Sequence, residues 1–169
     1  MKLVLGFDSV LFDSTQFKEQ VFISLEQRGI SHANAESLYN DYISTGIPFS
    51  LRNFLIMVAH HEKHEGLIDS DCYEEIMSIC PALVNKELLG TIRDVGAENV
   101  YVVAKGDTLF QREMIRRSIG EHFVRETIVV PLSKKEAVED ICMRFQSQSI
   151  IFVENKMTIL DDIDKEFYK

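Results

Sequence analysis

The sequence has little of what marks disulfide-stapled, secreted or membrane-spanning proteins. Only three of its 169 residues are cysteine, and their odd number and wide spacing argue against a disulfide framework or a zinc knuckle. We expect Cys72, Cys80 and Cys142 to be reduced and partly buried. No stretch approaches the roughly 18 apolar residues of a membrane span, and Asp8 interrupts an N-terminal run too short for a signal sequence. The sequence therefore predicts a cytoplasmic protein with no membrane partner.

Basic residues are also scarce, which bears on the class of partner. There are 18 Lys and Arg against 27 Asp and Glu, and the formal net charge is -9. Nucleic-acid binding needs clustered basic residues against phosphates, so we expect no nucleic-acid partner, although a local basic pocket is compatible with this charge. The length and an apolar fraction of 46% suit one soluble domain with a small inserted subdomain.

Apolar runs and helical periodicity predict the order of the elements. Four short runs predict strands at 2–7, 100–104, 128–130 and 150–153. Spacings of three and four predict helices at 14–29, 33–45, 50–65, 70–80, 81–94, 107–119 and 133–145. In the last helix Ser133 is the predicted N-cap, with Glu136 at capping-box spacing, and 157–169 is predicted as a short helix or strand remnant. The later alternation favours a doubly wound, Rossmann-like parallel sheet of the α/β class, with the helical block inserted as a cap.

Polar side chains follow each predicted strand. In an open parallel sheet, ligands bind outside the carboxyl ends of the strands. The residues expected to converge there are Asp8, Lys105, Lys134, Lys135 and Glu154. Any one of them is better explained as a solvated strand end or a helix cap, but their occurrence after all four strands favours a common site.

Four segments carry a resemblance to a known family. Residues 3–14 read Leu-Val-Leu-Gly-Phe-Asp-Ser-Val-Leu-Phe-Asp-Ser, and 101–107 read Tyr-Val-Val-Ala-Lys-Gly-Asp. Residues 133–138 place lysines at the start of a helix, and 150–156 end a strand in Glu-Asn. In order and position these segments resemble the four motifs of the haloacid-dehalogenase (HAD) superfamily of aspartate-dependent phosphatases. The resemblance implies an α/β core at 1–13 and 81–169 and a helical-bundle cap at 14–80.

The resemblance also implies a mechanism. In the family an aspartate at the tip of the first strand attacks phosphorus and forms an aspartyl-phosphate. A second aspartate two residues later protonates the leaving group and then activates water. Mg²⁺, held partly by these residues and by an acid after the fourth strand, offsets the repulsion between the anions.

The spacing of acids decides which motif position Asp8 occupies. Asp8 and Asp13 are five residues apart, which matches the family's second aspartate and the acid that follows it. Gly6 then falls on the nucleophile position and can neither attack nor bind a metal. The alternative alignment makes Asp8 the nucleophile and puts Val10 at the second position, which spoils the spacing to Asp13.

Other positions depart from the family pattern. The phosphate-binding Ser or Thr falls on Ala104, and the paired acids become Glu154 and Asn155, which leaves one carboxylate. The usual glycine after the second aspartate is Ser9. The motif lysine survives as Lys134 or Lys135, and the sequence does not tell which of the two faces the pocket.

A charge count follows from these departures. Asp8 and Glu154 face Lys105 and one of the two adjacent lysines, so the predicted pocket is near neutral without metal. We expect Asp8 and Glu154 to bind Mg²⁺ weakly or not at all. A small anion or phosphorylated small molecule is expected beside Ala104, Lys105 and Gly106, at the N-terminus of the helix that follows.

Three functions are compatible with the sequence. The first is a catalytically impaired pseudo-phosphatase that serves as a binding or regulatory module, with a small anion or a protein as partner. The second is an active phosphatase of a small phosphorylated metabolite, using Asp8 or an unrelated nucleophile. The third is a structural subunit with a vestigial pocket.

Two other groups of residues have ordinary interpretations. A histidine-rich segment could resemble a metal site, but it lacks zincin spacing, and a polar helix end accounts for His60, His61, Glu62, His64 and Glu65. Aromatic residues in the helical block are predicted as core, not as a ligand-stacking surface: Tyr39, Tyr42, Phe49 and Phe54.

Overall fold

A computed structural model of the protein describes residues 1–63, 70–120 and 122–163. The chain divides into two compact units, Met1–Asp13 with the chain from Val84 onward, and Ser14–Leu83. The second boundary lies slightly beyond the expected position between residues 80 and 81. A short 3₁₀ turn, Cys80–Leu83, extends the helical unit, and Val84 forms an antiparallel bridge with Phe12.

The described residues contain four strands and eight α-helices. The strands are β1 (Lys2–Gly6), β2 (Val100–Lys105), β3 (Glu126–Val130) and β4 (Ile150–Val153). The helices are α1 (Ser14–Glu26), α2 (His32–Ser44), α3 (Leu51–Glu62), α4 (Ser70–Ser78), α5 (Lys86–Val95), α6 (Thr108–Ile119), α7 (Lys135–Arg144) and α8 (Met157–Asp162).

The four strands form one parallel sheet in the order β3-β2-β1-β4. The predicted doubly wound α/β architecture is therefore confirmed. Crossovers between parallel strands are right-handed in nearly all proteins. The step from β2 to β3 through α6 and the return from β3 to β4 through α7 run in opposite directions, which places these helices on opposite faces. From β1 the next two strands are added on one side of the sheet, and β4 is added on the other side. The reversal of strand order between β1 and β4 is the switch point where such sheets bind ligands.

The core of this unit lies on the two central strands. All five residues of β1 are buried, and so are the first five of β2. Side chains alternate between faces, so Val4, Tyr101 and Val103 share one face, where they pack with Val138 and Ile141 of α7. Full burial of such aliphatic side chains contributes about 1.5–3 kcal/mol each, which fixes the register of the strands whose tips carry the polar residues.

Two predicted helix starts are wrong. The segment predicted as one helix from 81 to 94 is a 3₁₀ turn followed by α5, because Asn85 caps α5 by accepting hydrogen bonds from the N–H groups of Glu87 and Leu88. The predicted capping box on α7 is absent. Ser133 Oγ accepts from the N–H of Lys135 at 3.2 Å, and the helix begins only at Lys135, so the hydroxyl closes a preceding turn.

The second unit consists of helices around an aromatic cluster. The predicted core aromatics pack edge to face, with ring centroids 5.9 Å apart for Tyr39 and Phe54 and 5.6 Å for Tyr42 and Phe49. Phe54 is fully buried and Tyr42 is 7% exposed, so the prediction of a core is confirmed for these two residues, while Tyr39 and Phe49 are half-buried. The role of this unit as a cap stays a prediction.

The cysteines are free and at least half-buried, as expected, and the described part of the histidine segment lies at the exposed end of a helix. His60 and His61 are exposed at the end of α3, while His64 and Glu65 lie outside the described residues. Within the described ranges no group of three potential metal ligands is present. All three cysteines are free, two of them buried and Cys142 half-buried. No helix in the described part of the chain is both long enough and apolar enough to cross a bilayer.

Candidate functional site

Gly6 is the last residue of β1, beside the switch point of the sheet. It pairs with Val103 of β2, while its neighbour Leu5 pairs with Val153 of β4. A β-carbon on Gly6 would lie 2.7 Å from Oε2 of Glu154 and 3.3 Å from Nζ of Lys134. The first distance is well inside van der Waals contact, so any side chain at Gly6 requires Glu154 to move.

A buried ion pair fills the space in front of Gly6. Nζ of Lys134 donates to Oε2 of Glu154 at 2.7 Å, and the two side chains are 4% and 1% exposed. The other carboxylate oxygen, Oε1, accepts from the backbone N–H groups of Asn155 and Lys156 at 2.9 and 3.3 Å. Both oxygens of Glu154 therefore have hydrogen-bond donors, which is the condition under which a buried carboxylate is tolerated.

The structure distinguishes the two candidate lysines. Lys134 precedes the first residue of α7 and is buried, whereas the side chain of Lys135 is 43% exposed and lies 3.6 Å from the Glu139 carboxylate. Successive residues at a helix start point roughly 100° apart, so only one of two neighbours can face the sheet. Lys134 is the one that reaches Glu154.

The chain after β1 closes into a tight loop on one carbonyl oxygen. The N–H groups of Val10, Leu11 and Phe12 lie 3.4, 3.1 and 3.0 Å from the Phe7 oxygen. Ser9 has φ 59, a left-handed conformation that costs a non-glycine residue about 1–2 kcal/mol. Ser9, which is predicted to correspond to the family's glycine, thus has a backbone conformation to which glycine is suited.

Asp8 lies on the other side of the β1 tip, next to α6. It is half-buried, and its Oδ2 accepts from Nε2 of Gln111 at 3.4 Å. Gln111 is 7% exposed, and its Oε1 has no hydrogen-bond partner among the described residues. Gly106 allows this approach, because a β-carbon there would meet Gln111 at 3.2 Å. Gln111 was not predicted from the sequence, because it lies within an otherwise ordinary helix sequence.

A carboxylate from the loop after β2 caps the helix that follows. Ala104 is buried, and Lys105 is exposed to solvent. Asp107 accepts from the N–H of Phe110 at 2.8 Å and is the N-cap of α6. An anion beside Lys105 would therefore compete with Asp107 for the start of this helix. The anion site expected at Ala104, Lys105 and Gly106 stays a prediction.

A cavity of about 390 Å³ opens beside the ion pair. It lies within the first unit at the switch point, between the loop after β1, the start of α5 and the end of β4. Its polar lining residues are Ser9, Asn85, Glu87, Thr91, Glu154 and Asn155. The lining residues include no Lys or Arg, so the cavity is neutral to acidic in character.

The predicted site residues thus fall into three groups. Gly6, Lys134 and Glu154 meet at the switch point, and Asp8 accepts a hydrogen bond from Gln111. Lys105 and Lys135 are turned toward solvent. Of the five residues expected to converge, two form a direct bond with each other.

Comparison with known proteins rests on structure. No family model and no curated protein matches the sequence. Solved structures do match, and the first is described as a haloacid dehalogenase-like hydrolase from Burkholderia xenovorans. It is 15% identical, with a TM-score of 0.67 over 94% of this chain and 75% of that one. The chain has the haloacid-dehalogenase fold.

Two further structures support this assignment of the HAD fold. A haloacid dehalogenase-like hydrolase from Xanthomonas campestris has a TM-score of 0.54 and 15% identity, over 94% of this chain and 74% of that one. The HAD hydrolase YfnB from Bacillus subtilis, whose structure contains magnesium, has a TM-score of 0.56 and 14% identity, over 93% and 78%. At these identities the comparisons establish the HAD fold, whereas chemistry must be argued from this chain's own residues.

Proposed function

We propose that this protein is a catalytically impaired HAD-like protein, a pseudo-phosphatase that serves as a binding or regulatory module. The observation that carries the proposal is the direction in which a side chain at Gly6 would point. A β-carbon there would lie 3.3 Å from Nζ of the buried Lys134, as expected for the nucleophile position of the family, yet Gly6 has no side chain. The space that an attacking carboxylate would need is taken by the carboxylate of Glu154.

The geometry of Asp8 supports the same alignment. A nucleophile must face the phosphate-binding lysine, and Asp8 accepts a hydrogen bond from Gln111 on the α6 side. The left-handed backbone at Ser9, where the family's glycine stands, also favours Asp8 as the second aspartate. In that position Asp8 could donate or accept a proton, but Gly6 provides no group for it to assist.

Mg²⁺, which the HAD fold implies, does not fit the donors at this site. A divalent cation of this type needs several oxygen ligands in near-octahedral geometry. Gly6 offers no side-chain oxygen, and both carboxylate oxygens of Glu154 already accept hydrogen bonds, one of them from a buried ammonium group. Lys134 supplies the positive charge that the metal would otherwise bring. A well-ordered Mg²⁺ coordinated by Asp8 in a crystal grown with the metal would contradict this assignment.

The cavity at the switch point favours a small polar ligand. Hydroxyl and amide groups of Ser9, Asn85, Thr91 and Asn155 line it, together with carboxylates. At about 390 Å³ it falls in the range of small-molecule sites. Without a cation in its lining, the cavity is better suited to a neutral or cationic molecule than to the phosphate monoester of an active family member.

Turnover of an aryl phosphate in the presence of Mg²⁺ tests the proposal. We expect wild type, Asp8→Asn and Asp94→Asn all to be indistinguishable from the reaction without protein, because Gly6 offers no carboxylate at the position beside Lys134. Asp94 is exposed on α5, so its variant controls for the change of charge. Wild-type turnover that survives Asp94→Asn but is abolished by Asp8→Asn would instead identify a phosphatase that uses Asp8.

A further inference from the structure

A second cavity lies at the opposite end of the sheet from Gly6, and nothing in the HAD mechanism uses it. Its volume is about 520 Å³. It lies where α6 ends and β3 begins, with Ile115 and Val124 as its buried apolar floor. The polar residues that line it include three arginines: Arg112, Arg116 and Arg125.

The acids of this cavity are already paired with other arginines. Glu113 accepts from Arg117 at 2.6 Å, and Glu126 accepts from Arg144 at 2.9 Å. The hydrogen bond to Glu126 raises the pKa of the Arg144 guanidinium above its ordinary value. Neither Arg117 nor Arg144 is among the residues that line the cavity. The negative charges of the two lining acids are thus largely offset by arginines that do not line the cavity.

The three lining arginines have no such partners. In the ranges 1–63, 70–120 and 122–163 no carboxylate forms an ion pair with Arg112, Arg116 or Arg125. Arg112 and Arg116 are one turn apart on α6 and so project from the same side of the helix. In a chain of net charge -9, three arginines without acidic partners around one concavity are an unusual concentration.

Stabilisation of the helix end explains only part of this arrangement. Cations in the last turn of a helix interact favourably with its carboxyl end, and Arg116 and Arg117 occupy the last turn of α6. Arg112 lies a full turn earlier, and Arg125 belongs to the chain just before β3. Neither residue belongs to the last turn of α6, yet both line the same cavity.

We propose that this cavity, bounded by Arg112, Arg116 and Arg125, binds a small phosphorylated molecule. The planar guanidinium group presents several N–H donors in a fork that matches phosphate oxygens. The volume lies in the range of small-molecule sites, and the apolar floor accepts the non-phosphate part of a ligand. Glu113 and Glu126 at the lining, together with the overall negative charge, disfavour a long nucleic-acid backbone.

This site differs from the switch-point cavity in position and in charge. The switch-point cavity is lined by hydroxyls, amides and carboxylates at the carboxyl ends of β1 and β4. The arginine-lined cavity lies at the amino end of β3. Binding at the arginines therefore neither requires nor excludes catalysis at Gly6 and Asp8, and it stands independently of the pseudo-phosphatase proposal.

Titration with pyrophosphate and with inorganic phosphate, at matched ionic strength, tests the site. We expect saturable binding of pyrophosphate in calorimetry, weaker binding of inorganic phosphate, and amide chemical-shift changes concentrated at 112–127. The double variant Arg112→Gln, Arg116→Gln should weaken pyrophosphate binding by at least about tenfold, and Arg125→Gln alone should weaken it measurably. Arg116→Lys keeps the positive charge but loses the forked N–H donors of the guanidinium group. Its affinity for pyrophosphate should therefore lie between those of wild type and the double variant.

The matched control removes the same charge elsewhere. Lys86→Gln, Lys156→Gln takes two exposed cations from outside the cavity and should leave pyrophosphate binding unchanged. Thermal melts establish that each variant is folded. Three outcomes would overturn the proposal: no saturable binding to wild type, equal loss in both double variants, or shift changes confined to the loops after β1 and β2.

Discussion

Replacing Lys134 by methionine is expected to lower the free energy of unfolding by about 3–5 kcal/mol, the usual cost of removing one partner from a buried ion pair. The substitution leaves the Glu154 carboxylate, which is 1% exposed, without the one side-chain donor that it has among the described residues. Methionine fills much of the same volume, so the loss arises mainly from the uncompensated charge. Urea unfolding of wild type and variant measures the difference.

Two comparisons make this prediction specific. Lys135→Met changes the adjacent lysine, whose side chain is 43% exposed, and should alter the free energy of unfolding by no more than about 0.5 kcal/mol. Adding Glu154→Gln to Lys134→Met removes the stranded charge while keeping the oxygen that accepts from Asn155 and Lys156, and should restore most of the loss. Equal effects of Lys134→Met and Lys135→Met would show that the ion pair is not buried in solution.

Gly6→Asp is expected to destabilise the protein strongly, although it returns a carboxylate to the nucleophile position. Its β-carbon would lie 2.7 Å from Oε2 of Glu154. Overpacking of this kind costs about 1–3 kcal/mol, and the second carboxylate beside Glu154 adds electrostatic repulsion. Gly6→Ala introduces only the steric clash, so it should lower the free energy of unfolding by less than Gly6→Asp does. Chemical denaturation of the two variants separates the contributions.

The effect of Gly6→Asp should reverse in a Glu154→Ala background. There the introduced carboxylate meets no clash with Glu154 and becomes the partner of Lys134. The coupling between the two substitutions should therefore reach at least about 2 kcal/mol in a double-mutant cycle. Gly90→Asp is the matched control, because a β-carbon at Gly90 has no neighbour within 4 Å, and it should be tolerated. If Gly6→Asp is tolerated as well as Gly90→Asp, the direction assigned to Gly6 is wrong.

The fold follows from the sequence because its signals are local and repeated. Each strand is a short apolar run and each crossover helix has a clear helical period, so the fold class and the order of elements along the chain could be predicted. The predicted helix starts were wrong where a single polar side chain can accept a hydrogen bond from either of two backbone N–H groups. Ser133 sits at the expected spacing from Glu136, yet its hydroxyl accepts from Lys135 and caps a turn. Which N–H group the hydroxyl reaches depends on the backbone path from the end of β3 to the start of α7. The sequence pattern does not specify that path.

The sequence predicted which residues gather at the site but not their contacts. The spacing of Asp8 to Asp13 assigned Gly6 to the nucleophile position, which stays a prediction, and the predicted strand ends brought Lys134 and Glu154 into the same region. The bond between Lys134 and Glu154 joins residues 20 apart in sequence, and it depends on which way a helix start turns. The contact of Gln111 with Asp8 spans 103 residues and has no sequence signal at all. Tertiary packing alone decides both contacts.

The most direct test of the central claim is whether the protein ever carries a phosphoryl group on an aspartate. Wild type is incubated with an aryl phosphate and Mg²⁺, quenched in acid, and measured by intact-protein mass spectrometry, with peptide mapping of any modified species. Because Gly6 provides no nucleophile and Asp8 faces Gln111, the account predicts only the unmodified mass. A species heavier by one phosphoryl group, mapped to Asp8, would contradict it and would make this protein a working member of the HAD hydrolases.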